Sequence, residues 1–234
     1  MQTLKDQGKK AAGYAAAALV EDDMHVGLGT GTTAAFFIEH LAERCRKGLK
    51  ILAFSSSEKS LQLAVQGKIP TGDINQLTTL DFTADGADEI DRQFRMIKGG
   101  GGALLREKII ASMSKEMVII IDNHKLVERL GKFPLPVEIT QFGWKATCNQ
   151  LQNLNFFGKL REKSDKSLFI TDNGNYIYDI TFPSPISDPE PIDKLLKDIP
   201  GVMETGFFFN LAKKVLIGYP DGKVDVRQRH EHAK

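Results

Sequence analysis

Apolar and polar positions along this chain alternate between a helical and a strand period, and the alternation repeats. The alanine-rich opening up to Val20 reads as a helix. "MHVGL" (24–28) is a short apolar strand, followed by the turn "GTGTT" and the amphipathic helix "AAFFIEHLAERCRK". A second unit follows, with "KILAF" (50–54) as strand and "SSSEKSLQLAVQ" (55–66) as helix; Ser55 and Glu58 have capping-box spacing. "TLDFTA" (79–84) is a third strand, "ALLREKIIASMS" (103–114) a helix, and "MVIII" (117–121) has the unbroken apolarity of a buried parallel strand. Strands alternating with helices imply a mostly parallel sheet with right-handed crossovers. Ligands of such sheets bind beyond the carboxyl ends of the strands.

The pattern changes near "GKFPLPVEI", where two prolines mark a boundary. Beyond it, "LPVEIT" reads as strand, "WKATCNQLQNL" as helix and "FFGKLRE" as strand. "SLFITDNGNYIYDITF" reads as two strands turning at Asn173–Gly174. The helix "PEPIDKLLKDI" and the strand "GVMETGFFF" complete a β-α-β-β-α-β order, the split βαβ arrangement. "KVLIGYPDGKVDV" is a last hairpin, turning at Pro220–Asp221–Gly222.

Composition narrows the function classes. The 234 residues are 41% hydrophobic and 26% charged, ordinary for a globular protein, and the net charge of +1 carries no nucleic-acid footprint. The basic tail "RQRHEHAK" reads as a solvated terminus. Cys45 and Cys148 form no C-x-x-C pair, which argues against a disulfide framework and for a reducing compartment. With charges scattered through its first residues and no long apolar run, the chain reads as a cytoplasmic protein without membrane contact.

Three stretches carry candidate chemistry. "GLGTGTT" (27–33) suits a phosphate cradle, with close backbone approach, helix N–H groups and threonine hydroxyls; a bare helix-capping turn is the alternative. It is not a dinucleotide fingerprint, because Thr32 stands where glycine is required, and no G-K-[ST] follows. "DGADEID" (85–91) lacks the spacing of a calcium loop; on spacing alone it is either acid–base machinery or a charged turn. "KGGGGALLREK" (98–108) is harder to read as filler, since four ordered glycines cost about 2–4 kcal/mol. Close approach of backbone to a ligand accounts for them better than a linker does, with Lys98 before the loop and Glu107 after it.

Together "GTGTTA", "DGADEID", "KGGGGALLREK" and "KLVERLGKFPLPVEI" resemble the type A ribose-5-phosphate isomerases, in order and separation, over essentially the whole chain. The resemblance extends to "TDNGN" and "GVMETGFF". It implies a Rossmann-like α/β domain over 1–131 and 207–234 with an inserted ferredoxin-like domain over 132–206. It implies metal-free, cofactor-free interconversion of ribose 5-phosphate and ribulose 5-phosphate by a homodimer or a dimer of dimers. Carried over by position, Glu107 matches the proton-transferring base. Thr30, Gly31, Thr32 and Thr33 match one substrate loop, Asp85, Gly86, Ala87 and Asp88 a second, and Lys98, Gly99, Gly100 and Gly101 a third. Lys125 matches a further substrate contact and Lys9 a lysine near the phosphate. Two departures stand out: Thr32 replaces a serine, and Asn123–His124 replace Glu-Ser before Lys125.

These residues suit an enediolate mechanism. One carboxylate, Glu107, serves both carbons, and such a base works best with its pKa raised toward the operating pH. Lys98 and glycine N–H groups would stabilise the oxyanion, Asp85 or Asp88 would move hydroxyl protons, and Lys9 with Thr32 and Thr33 would hold the phosphate. A phosphosugar-sensing domain is the rival reading; it needs the cradle but not the acid–base set.

Overall fold

The structure, a computed structural model, describes residues 4–229; part of the basic tail and the first three residues of the opening helix lie outside them. In chain order the elements begin with α1 (Leu4–Ala18), β1 (His25–Leu28), α2 (Thr32–Arg46), β2 (Leu52–Ser55), α3 (Glu58–Gln66), β3 (Leu80–Asp85), β4 (Glu89–Ile90) and β5 (Met96–Ile97). There follow α4 (Leu104–Met113), β6 (Ser114–Asp122), β7 (Leu135–Ile139), α5 (Trp144–Asn153), β8 (Gly158–Leu160) and β9 (Tyr176–Ile180). The chain closes with α6 (Pro189–Lys197), β10 (Val202–Thr205), β11 (Phe207–Phe208), β12 (Lys214–Gly218) and β13 (Val224–Gln228). The chain divides into two compact units, residues 1–87, 106–126 and 210–234 against residues 88–105 and 127–209.

In the first unit, six strands among the described residues form one sheet in the order β13-β12-β6-β3-β1-β2, parallel except for the β12–β13 hairpin. β6 lies inside it, and its residues from Met117 to Asp122 are all buried, which explains the unbroken apolar run. Alanines let α1 lie close on α2: Ala12, Ala16 and Ala17 join Phe37, Leu41, Val26, Phe82 and Val118 in one core. A Cβ at Gly13 would stand 2.8 Å from the Phe37 backbone nitrogen. β1 pairs with β2 on one side and β3 on the other, so successive crossovers leave in opposite directions at β1. That gap is the topological switch point, where open parallel sheets bind ligands.

The helix after β2 is capped two residues later than its spacing predicts. Ser57, extended at φ −153°, accepts from the Ser60 N–H at 3.1 Å, while Ser55 ends the strand. The sheet claims Ser55, so the first free hydroxyl becomes the cap.

The second unit holds a four-stranded antiparallel sheet, β10-β7-β9-β8, with α5 and α6 in the β-α-β-β-α-β sequence of a ferredoxin-like fold. Its core gathers Leu135, Val137, Ile139, Leu151, Tyr178, Ile180, Leu196 and Phe207. Two expectations change here. "SLFITDNG" is a loop rather than a strand: buried Glu138 accepts from the Thr171 hydroxyl (2.9 Å) and the side-chain amides of Asn173 (3.1 Å) and Asn175 (2.9 Å). The carboxylate's demand for donors overrides strand pairing. "GVMETGFFF" breaks at Gly206, which donates to Pro136 O and accepts from Lys98 N–H. Its first half pairs with β7 and its second with β5, in a three-stranded sheet β11-β5-β4. That pairing also takes residues 88–105 into this unit, whereas the sequence reading drew one excursion over 132–206.

Candidate active site

In the first unit, candidate residues gather on the carboxyl edge of the sheet. β1 ends at Leu28, and Gly29 N–H bonds to Ala84 O at 3.0 Å. Thr30 N–H donates to Asp85 Oδ1 at 2.9 Å, and Gly86 N–H to the same oxygen at 2.7 Å. The two loops separated in sequence therefore meet at the switch point, with Asp85, 1% exposed, as their shared acceptor. Gly29 is required for this: a Cβ there would lie 2.2 Å from Asp85 Oδ1 and 2.5 Å from its Cα.

A cluster of hydroxyls that the sequence reading missed holds Thr30. Its Oγ1 lies 2.9 Å from Ser56 Oγ, 2.9 Å from Ser57 Oγ and 3.4 Å from Ser60 Oγ, while Ser60 Oγ donates to Gly29 O at 2.6 Å. The signal was present as "SSSEKS", but only the fold brings it under the first loop. Gly31, at φ 104°, caps α2 without a side-chain bond, so the first-turn N–H groups around Thr32 and Thr33 are open to an anion. Lys9 sits on α1 between Gly8, which packs on Gly218, and Gly13, whose Cβ would lie 3.0 Å from Thr33 O. Its ammonium is 3.9 Å from Asp6.

Glu107 lies in the first turn of α4, where the helix dipole favours an acid, and is 4% exposed. Lys125 ends the turn that leaves β6. Asp122 caps that turn by accepting from His124 N–H at 3.1 Å, while the His124 side chain is exposed.

Asp88, Lys98 and the glycine loop lie in the second unit. Lys98 is 2% exposed, its Nζ 5.4 Å from the centre of the Phe208 ring. Gly99 and Gly102 have φ of 97° and 86°, and Gly102 N–H closes a turn onto Gly99 O at 2.9 Å. Asp88 Oδ2 accepts from Gly100 N–H at 2.7 Å. The acidic run thus separates by task. Glu89 is structural, accepting from Gly131 and Phe133 N–H at 2.7 Å each. Asp91 is structural as well, bound to Arg95 Nε at 2.7 Å and to the Gln93 and Arg95 N–H groups.

A parallel sheet with a glycine and hydroxyl cradle at its switch point, in a unit that also carries the buried carboxylates of Asp85 and Glu107, is the equipment of an α/β enzyme that moves protons on a phosphorylated substrate. The particular family follows from comparison. The model of the family ribose 5-phosphate isomerase A (phosphoriboisomerase A) matches residues 52–222. The ribose-5-phosphate isomerase A of Protochlamydia amoebophila (strain UWE25) is 52% identical over 220 residues, 94% of this chain and 95% of that one. A solved D-ribose-5-phosphate isomerase in complex with phospho-erythronic acid superposes with a TM-score of 0.89 at 39% identity, covering 94% of this chain and 97% of that one. The ribose 5-phosphate isomerase of Plasmodium falciparum gives 0.92 at 34% identity, covering 97% and 100%. The chain belongs to the ribose 5-phosphate isomerase A family.

Proposed function

We infer that this protein is an aldose–ketose isomerase that interconverts D-ribose 5-phosphate and D-ribulose 5-phosphate. The observation that carries the reading is family membership over nearly the whole chain. The sensing-domain reading gives way to it, because the relatives bear the isomerase name across almost their full lengths.

In the proposed mechanism the Glu107 carboxylate takes the C2 proton of the open-chain aldose. The C2–H electron pair forms the C1–C2 double bond, and the carbonyl π pair moves onto O1. Lys98 and N–H groups of the glycine loop stabilise that oxyanion, the Gly100 N–H being held by Asp88. Asp85 or Asp88 moves the proton between O2 and O1 and assists opening of the furanose ring. Glu107 then returns its proton to C1, leaving the ketone at C2. Thr30 and Gly31 line the cradle, while Lys9, Thr32 and Thr33 hold the phosphate, whose binding energy orients the reacting carbons. Gly86, Ala87 and Lys125 complete the substrate contacts. What supports Glu107 as base is its burial on the first turn of a helix. What supports the phosphate role is the uncapped N-terminus of α2. Metal-independent turnover, a homodimeric state and a cytoplasmic place in the non-oxidative pentose phosphate pathway belong to the same proposal.

The test follows ribulose 5-phosphate formation with EDTA present, wild type beside Glu107→Gln. Wild type is expected to turn over and the variant to lose about a thousandfold in kcat. Near-normal turnover in the variant defeats the assignment of the base. An inactive wild type that still binds ribose 5-phosphate revives the sensor.

A further inference from the structure

Arg161 lies just past β8, in none of the motifs on which the site was built. Its guanidinium works in two directions. Nε and Nη2 donate to the Asp179 carboxylate on β9, at 2.9 and 2.5 Å. Nη1 donates to Gly99 O at 2.9 Å and Gly100 O at 3.1 Å. The group also lies 5.9 Å from the centre of the Phe169 ring, and its side chain is only 15% exposed. Phe169 in turn fills the space a Cβ at Gly102 would need, at 2.4 Å. Arg161 is therefore fixed before it touches the loop.

Peptide geometry gives this contact a consequence. A trans peptide is planar, so its C=O and the N–H of the next residue point in opposite directions. With Gly99 O drawn to Arg161, Gly100 N–H faces away, where it meets Asp88 Oδ2 at 2.7 Å. With Gly100 O drawn to the same guanidinium, Gly101 N–H also faces away from Arg161. Gly101 is exposed, and its N–H has no backbone acceptor among the described residues. Successive N–H groups turned to one side make an anion-binding concavity.

We propose that Arg161, braced by Asp179, is a positioning residue for the isomerisation. By holding two carbonyls on one side of the glycine loop it presents the Gly101 N–H, on the other side, to the developing enediolate oxygen. The proposal rests on the isomerase reading above. It also explains how a four-glycine loop can be preorganised: the ordering comes from outside the loop, through two carbonyls that any residue would carry. Lysine cannot replace this group, because a single ammonium cannot bind both carbonyls and a bidentate carboxylate.

The test compares wild type, Arg161→Met and Arg161→Lys as full chains. It measures kcat and KM for ribose 5-phosphate, amide hydrogen exchange over residues 98–104 without substrate, and the melting temperature. In Arg161→Met, kcat is expected to fall by about 10- to about 100-fold with KM within about threefold, because a donor made chiefly to the transition state is displaced. Arg161→Lys is expected to recover little of it, and exchange at Gly100 to Gly102 to quicken in both. A lower melting temperature with kcat per folded molecule within about twofold of wild type would mean a merely structural role and overturns the proposal. If Arg161→Met fails to fold, Asp179→Asn loosens the brace and keeps the arginine; it is expected to lose part of kcat, and unchanged turnover overturns the proposal. A wild type inactive on ribose 5-phosphate defeats the isomerase reading instead, while unaltered exchange in the variants defeats the hold of Arg161 on the loop.

Discussion

The loop over residues 29–33 and the loop over residues 99–102 have much in common: each follows a strand, precedes a helix and is rich in glycine. They are held by different chemistry. The first rests on neutral hydroxyls, Thr30 against Ser56, Ser57 and Ser60, with one carboxylate, Asp85, as the acceptor that ties it to β3. The second is held by charges on both sides, Asp88 taking a peptide N–H and Arg161 taking two carbonyls. The contrast follows from local resources. The first loop has threonines of its own to anchor it; the second has no side chain at all, so every anchor must come from elsewhere in its unit. Hydrogen bonds to charged groups contribute about 1.5–3 kcal/mol each against about 1 for neutral ones, which suits a loop that starts with the larger entropy deficit.

Glycine substitutions test this contrast with the largest expected effects. In Gly29→Ala the new Cβ meets the Asp85 backbone as well as its carboxylate, so no rotamer change relieves it. Turnover is expected to fall about 100-fold or more, since the loop and its acceptor are forced apart. In Gly100→Ala the atoms nearest the Cβ are those of the Asp88 carboxylate, the first at 2.6 Å, and this side chain can swing aside at the loss of one hydrogen bond. There the loss is expected to stay near 10-fold, about one charged hydrogen bond. Steady-state kinetics on both variants decides it, and equal losses would mean that the two loops are held alike.

Thr30→Val gives a smaller effect. It keeps the shape of the side chain and removes the hydroxyl, while Ser57 and Ser60 still bond each other at 3.0 Å and Ser56 still donates to Leu28 O. Urea titration should show a loss of about 1–2 kcal/mol.

The smallest effects lie in the pH dependence of stability, where the units differ in sign. In the first, Asp81 is held below the ordinary carboxylate range by Lys115, at 2.8 Å, and by the His25 N–H. Its contribution is full above the unfolded pKa, near pH 4, and is lost as pH falls through the lower folded value. In the second, burial opposes the charge on Lys197, but hydrogen bonds to Glu204 and Asp193 outweigh it and raise its pKa above 10.5. That contribution is full below pH 10.5 and is lost as pH rises through the folded value. Thermal melts of Asp81→Asn and Lys197→Met should flatten the acid and alkaline flanks respectively.

Much of the fold was legible because its periodicities are local. The helices of the first unit, its parallel strands and the final hairpin stand within a few residues of their sequence reading. The failures have a common cause. "SLFITDNG" has strand composition but obeys Glu138, more than thirty residues earlier, and "GVMETGFFF" breaks where Gly206 must pass between Pro136 and Lys98. Neither partner is visible from within the segment. The acidic run shows the same limit: Asp85, Asp88, Glu89 and Asp91 look equivalent, and the donors Gly131 and Phe133, which mark Glu89 as a clamp, lie more than forty residues away.

The sequence by itself determined the strand–helix alternation, the positions where glycine strips the backbone bare, and, through long motifs in order, the family. Those are properties of residues and their near neighbours, written in composition and spacing. Only the tertiary structure decided that Thr30 bonds to Asp85 at the switch point, that three serines support it, and that Arg161 reaches the carbonyls of Gly99 and Gly100. Each joins groups tens of residues apart, and each answers a polar group's need for a partner, which no local pattern records.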